Sequence, residues 1–262
     1  MKKIFILLLV ISISFSFSCV NANACTDVTT EDISIFLERV ETVYSQGYKE
    51  GTMTLSSIKD AAILCGLSAA TDNGAICIFE LTNGDGYVVT LGATEITNQS
   101  ENLGIREDIL SAFNKSNGYK KNAINAIVNN IPKGESIYIY GYSLGGMVMQ
   151  QVLSDKQIRK NYDIEAAVAI GSPITAINRQ KIVVVEDKSD IIPYMSAKSL
   201  LAGKLFRKYD THVVRDGGYK TTIGAHALSY VDSPVWDDID IFGTFNGNNL
   251  EINMTNFKTF YA

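Results

Sequence analysis

The spacing of apolar positions changes along this chain. Over 31–46, Ile33, Phe36, Leu37, Val40, Val43 and Tyr44 recur every three or four residues, which places them on one face of a helix. Thr29-Thr30-Glu31-Asp32 has capping-box order at the start, and Gly47 stands as the stop. A second short helix is expected over 57–64. The pattern then becomes strand-like. Residues 76–81 and 87–91 are apolar runs on either side of Asn83-Gly84-Asp85-Gly86, a turn that predicts a β-hairpin. Helical spacing returns at Ile105, Ile109, Leu110 and Phe113, and again at Ile124, Ile127 and Val128, ending before Pro132.

From 136 onward the order is strand, turn, helix. Residues 136–140 are rich in β-formers, and Gly141-Tyr142-Ser143-Leu144-Gly145-Gly146 follows them as a turn. Met147, Val148, Gln151 and Val152 suit a helix. Residues 166–170 form another apolar run, stopped by Gly171-Ser172-Pro173, and residues 182–185 form a third. Continuous apolar strands alternating with helices predict a parallel sheet covered on both faces. The expected fold class is therefore α/β: a mostly parallel central sheet, helices on both faces, and an early antiparallel hairpin. No repeat, low-complexity tract or linker divides the chain.

Composition adds two constraints. The mean hydropathy of the 262 residues is +0.08, and part of that comes from the first residues. Lys2 and Lys3 precede an apolar run over 4–17, and Asn21-Ala22-Asn23-Ala24 ends in the A-x-A pattern. These are the parts of a secretory signal peptide. Cleavage after Ala24 would leave 25–262 as a single domain, secreted or periplasmic. A lipoprotein reading through Cys19 or Cys25 lacks the usual leucine. The net charge of −5, with no basic patch, argues against nucleic acid as a partner. Cys25, Cys65 and Cys77 would remain after cleavage. They allow one disulfide plus a free thiol, or buried unpaired thiols. No later stretch is apolar enough to span a membrane.

The chemistry centres on Ser143. Gly141-Tyr142-Ser143-Leu144-Gly145 is G-x-S-x-G between a strand and a helix, the setting of a nucleophile elbow. Glycines are needed there because the tight turn leaves no room for side chains. A serine hydroxyl needs a base, usually a histidine oriented by a carboxylate. The chain holds two histidines. His212 reads as strand-interior, whereas His226 follows a glycine-rich loop, which favours His226. Glu186, Asp187 and Asp190 all follow the 182–185 strand and are all candidates for the acid. Asp232, Asp237, Asp238 and Asp240 match no calcium loop and read as a solvated acidic surface. Met195, Leu200, Leu201, Leu205 and Phe206 read as core packing of a helix, with an acyl site or flap as the alternative.

Taken together, these segments resemble the class 3 lipase family of α/β-hydrolases. Gly141–Gly146 resembles that family's G-H-S-L-G-G elbow, with Tyr142 where histidine is usual. Residues 88–95 are similar to its R-G-T-type strand end, with Gly92-Ala93 in place of Arg-Gly. Gly171-Ser172-Pro173, 187–193 and His226-Ala227-Leu228-Ser229-Tyr230 resemble its G-S-P, its acid region and its terminal H-x-x-x-Y. The resemblance implies an α/β-hydrolase fold with Ser143 as nucleophile, Asp190 as acid and His226 as base. It also implies an oxyanion hole from the N–H groups of Leu144 and Thr94, and hydrolysis of lipid or other small esters without metal or cofactor. A lid helix before the elbow is not evident. The rival expectations are a catalytically silent binding module and a serine peptidase or amidase on the same scaffold.

Overall fold

The computed structural model describes residues 30–70, 75–92, 105–173, 182–194, 211–220 and 224–261. The chain enters as helix α1 (Thr30–Glu50), strand β1 (Thr52–Leu55) and helix α2 (Ile58–Ala70). The hairpin follows as β2 (Ile76–Glu80) and β3 (Tyr87–Leu91). Then come α3 (Ile105–Asn130), β4 (Ser136–Tyr142), α4 (Leu144–Leu153), α5 (Lys156–Asn161) and β5 (Asp163–Ile170). Strands β6 (Val183–Asp187), β7 (Thr211–Arg215), β8 (Leu250–Asn253) and β9 (Lys258–Phe260) complete the order.

Seven strands form one mixed sheet in the order β7-β6-β5-β4-β3-β2-β9. From β3 to β7 every neighbouring pair is parallel, while β2 runs antiparallel to both β3 and β9. The fold class is α/β, as the alternation predicted. Successive strand residues feed two different cores. Tyr140, Tyr142, Val168, Ile170 and Val185 pack towards α1, α2 and the C-terminal segment around Trp236. Ile137, Ile139, Ala167, Ala169 and Val184 pack towards α3 and α4. A strand buried on both faces has no polar side to show, which is why its sequence is a continuous apolar run.

The structure departs from the sequence expectations in several places. Helix α1 passes through Gly47 and ends one turn later, at Gly51, whose φ of +81° suits a glycine. The Gly51 N–H donates to the Gly47 carbonyl at 2.9 Å. Gly47 is buried, and a Cβ there would lie 3.3 Å from Met254 Cγ, so this glycine serves packing. Helix α2 runs six residues past the expected end at 64. Its residues 61–66 are all buried, the pattern of a helix enclosed on every side. Asp60 caps its start, accepting from the Ser56 and Ser57 N–H groups at 2.7 and 2.9 Å. The two helical patterns before Pro132 are one continuous helix, α3. Strands β1, β8 and β9 and the short α5 were not anticipated.

Cys65 and Cys77 are both buried, on α2 and β2. Burial, above all, pushes both thiols upward: Cys77 to about 12 and Cys65 beyond it. Cys25, the third cysteine left by the expected cleavage, lies outside the described residues, as does the whole of 1–24. Among the described residues no helix is long and apolar enough to cross a membrane.

Candidate active site

Ser143 stands at the end of β4, where the chain turns directly into α4. It is the one non-glycine described residue with positive φ (φ 54°, ψ −124°). Such a backbone costs on the order of 1–3 kcal/mol and persists only where its surroundings enforce it. They do so here. The Ser143 N–H donates to the Ile170 carbonyl of β5 at 2.9 Å. A Cβ on Gly145 would fall 1.9 Å from the Leu91 carbonyl oxygen of β3, and one on Gly141 would fall 2.5 Å from Gly146 Cα. The two glycines therefore answer to different neighbours: Gly145 to the adjacent strand, Gly141 to the start of the helix. Leu144 is the first residue of α4, so its N–H has no acceptor within the helix and sits at the positive end of the helix dipole.

Asp190 lies three residues beyond β6 and is fully buried. Its Oδ1 accepts from the Ile192 N–H at 2.9 Å. Its Oδ2 accepts from the Tyr230 hydroxyl at 2.9 Å and lies 2.7 Å from His226 Nδ1. His226 belongs to a π-helical turn, Ala225–Ser229. Its Nε2 is 2.9 Å from Ser143 Oγ. With Asp190 ionised, the network fixes the proton on Nδ1, so Nε2 accepts from the serine hydroxyl. Asp190, His226 and Ser143 thus form one hydrogen-bonded chain at the C-terminal edge of the sheet. No family model, curated protein or solved structure matches this chain. What can be said of the site rests on its geometry.

That geometry separates the candidates. Of the three acids, Asp190 is the one on His226. Asp187 is buried and occupied elsewhere: it accepts from the Ser189 N–H at 2.7 Å, the Gly217 N–H at 2.9 Å and the Ser229 hydroxyl. Glu186 points to the opposite face of β6 and lies 2.8 Å from His212 Nε2. It also accepts from the Tyr194 hydroxyl at 3.2 Å. His212 sits in β7 beside β6, as its strand reading implied, away from Ser143.

Two residues of the site had no assigned role in the sequence. Tyr230 donates to Asp190 and accepts from the Asp187 N–H at 2.7 Å, tying both acids of the loop to one phenol. Tyr142 stacks on the His226 ring. Burial, above all, with Asp190 beside them, pushes both phenols well above the ordinary tyrosine range, so they remain donors. The usable signal was position: Tyr230 is one helical turn past His226, and Tyr142 adjoins Ser143.

Thr94 lies outside the described residues, as do Gly92-Ala93-Thr94-Glu95 beyond Gly92 and the patch Met195, Leu200, Leu201, Leu205 and Phe206. Of the acids read as a solvated surface, Asp237 and Asp238 are exposed and Asp232 half-exposed, each in an ion pair, and only Asp240 departs from that reading. Asp232 pairs with Arg39 at 2.7 Å, Asp237 with Lys59 at 2.8 Å, and Asp238 with both ends of the Arg215 fork at 2.6 and 2.9 Å. Asp240 is buried and accepts from Thr244, Asn248 and Phe242. Burial pushes its carboxyl up, but these donors outweigh that and hold it below the ordinary 3.8. Among the described residues no group of three or more His, Cys, Asp or Glu could hold a metal ion.

Proposed function

We propose that this chain is a serine ester hydrolase of the class 3 lipase kind, built on an α/β-hydrolase fold and acting on lipid or other carboxylic esters. The observation that carries this reading is the chain Asp190–His226–Ser143, with both links under 3 Å and the serine raised on a strained turn. Lipid esters are favoured by the sequence resemblance. The leader-like 1–24 segment supports a secreted or periplasmic site of action.

In this reading Ser143 Oγ attacks the ester carbonyl carbon while His226 Nε2 takes its proton. The imidazolium so formed keeps its Nδ1–H on Asp190, which stays ionised. The carbonyl oxygen becomes an oxyanion facing the Leu144 N–H, with Thr94 as the second donor by resemblance. Each such donor contributes about 3 kcal/mol to the transition state. Collapse of the tetrahedral intermediate breaks the bond to the alcohol, and His226 returns its proton to that leaving oxygen. Water then repeats the sequence on the acyl-enzyme, releasing the acid and restoring Ser143.

The test is hydrolysis of p-nitrophenyl esters of increasing acyl length by wild type and Ser143→Ala, with an anilide of the same acid in parallel. Ester turnover that vanishes in the variant is expected. Equal rates in both proteins would remove the reading, and faster turnover of the anilide would move it to an amidase.

A further inference from the structure

Tyr142 occupies the position between the first elbow glycine and the nucleophile. It is 5% exposed. Its ring lies nearly parallel to the His226 imidazole, with centroids 5.2 Å apart and planes inclined by 15°. Its hydroxyl donates to the main-chain carbonyl of the same histidine. One side chain therefore touches the base twice, once through the backbone and once through the ring. The other groups on that imidazole are Asp190 at Nδ1, Ser143 at Nε2 and the Tyr230 ring, set at 85° and 6.5 Å between centroids. Within this set only Asp190 carries a formal charge.

We propose that Tyr142 is a positioning residue for His226: its hydroxyl fixes the π-helical turn that carries the imidazole, and its ring face steadies the imidazolium formed when Ser143 gives up its proton. An aromatic face is electronegative and attracts a cation within about 6 Å of its centroid. The imidazole is neutral before proton transfer and cationic after it. The attraction is therefore stronger in the transition state than in the ground state, which is the condition for raising kcat rather than only lowering KM. The hydroxyl contact serves orientation, since a small rotation of the turn would separate Nε2 from Ser143.

This inference rests on the ester-hydrolase reading, so its test includes a measurement that needs no turnover. The chain has two histidines, giving two imidazole titrations by proton NMR, which a His212→Gln variant assigns. Tyr142→Phe keeps the ring and removes the hydroxyl. Fluorinated phenylalanines placed at position 142 then keep the ring and withdraw its negative face in steps. Along that series the His226 titration is expected to move to lower pH. The acid limb of the kcat/KM profile should move with it, while plateau kcat falls about three- to tenfold. Merely structural damage would lower the plateau without moving the limb. A His226 titration unchanged across the series would overturn the ring's role. An unchanged kcat in Tyr142→Phe would overturn the hydroxyl's role. Absence of ester turnover in every protein would instead sink the hydrolase reading, with the NMR titration still deciding the place of Tyr142.

Discussion

Both histidines of this chain sit against a buried carboxylate, His226 at 2.7 Å from Asp190 and His212 at 2.8 Å from Glu186. The difference lies at the rest of each ring. His226 spends Nδ1 on its acid and leaves Nε2 facing a serine hydroxyl on a strained turn. His212 spends Nε2 itself on Glu186, whose same carboxylate oxygen also accepts from the Tyr194 phenol. An acid–histidine pair is thus common to both rings, and what marks His226 is the serine hydroxyl held at the nitrogen that Asp190 does not use.

The largest effect should come from breaking the His226 side of this contrast, the one proposed to be catalytic. Ser143→Ala or His226→Ala is expected to lower kcat by about 10⁴- to 10⁶-fold, whereas His212→Gln should stay within about threefold on the same ester. A large loss in His212→Gln would erase the distinction. Asp190→Asn comes next, at about 10³- to 10⁴-fold, because the amide disturbs the tautomer of His226. Asp187→Asn tests the neighbouring acid and should act on the fold instead. It puts an amide where three donors converge, so thermal or urea unfolding should show a loss of about 1–3 kcal/mol, with kcat of the folded protein within about tenfold.

The smallest effect concerns the Glu186–His212 pair. Burial, above all, with Glu186 beside it, pushes the Tyr194 phenol up to about 12 from 10.0. A group raised in the fold contributes stability that is whole below its unfolded value and is lost as pH climbs through the folded one. The stability difference between wild type and Tyr194→Phe should therefore be constant below pH 10 and shrink between 10 and 12. Urea unfolding across that range measures it, and a difference independent of pH would show that Tyr194 acts through packing alone.

The strained turn at Ser143 was legible in the sequence because it leaves its glycines no alternative: Gly145 meets the Leu91 backbone and Gly141 meets Gly146. His226 could be preferred over His212 because one follows a loop and the other lies within a strand. The acid was different. Glu186, Asp187 and Asp190 fall within five residues after the same apolar run, and spacing gives no rank among them. Only the resemblance singled out Asp190. The structure separates them by strand alternation, which sends Glu186 to one face and Asp187 to the other, and by the donors already waiting for Asp187. The short strands β1, β8 and β9, of three or four residues, carry too little pattern to read. Gly118 is exposed with open space beside it, so nothing breaks α3 where its apolar spacing lapses.

The two buried cysteines give this protein a built-in gauge of its own breathing. Cys65 Sγ lies against the backbone of Leu91 and Tyr142, one residue from Ser143, and Cys77 shares the same core. Neither thiol can meet an aqueous disulfide reagent, nor ionise readily, while the core is shut. Their labelling rate, divided by that of a free thiol, therefore counts how often the layer beneath the elbow opens. A slow rate at room temperature would mean that the strained serine stands on one of the least yielding parts of the molecule.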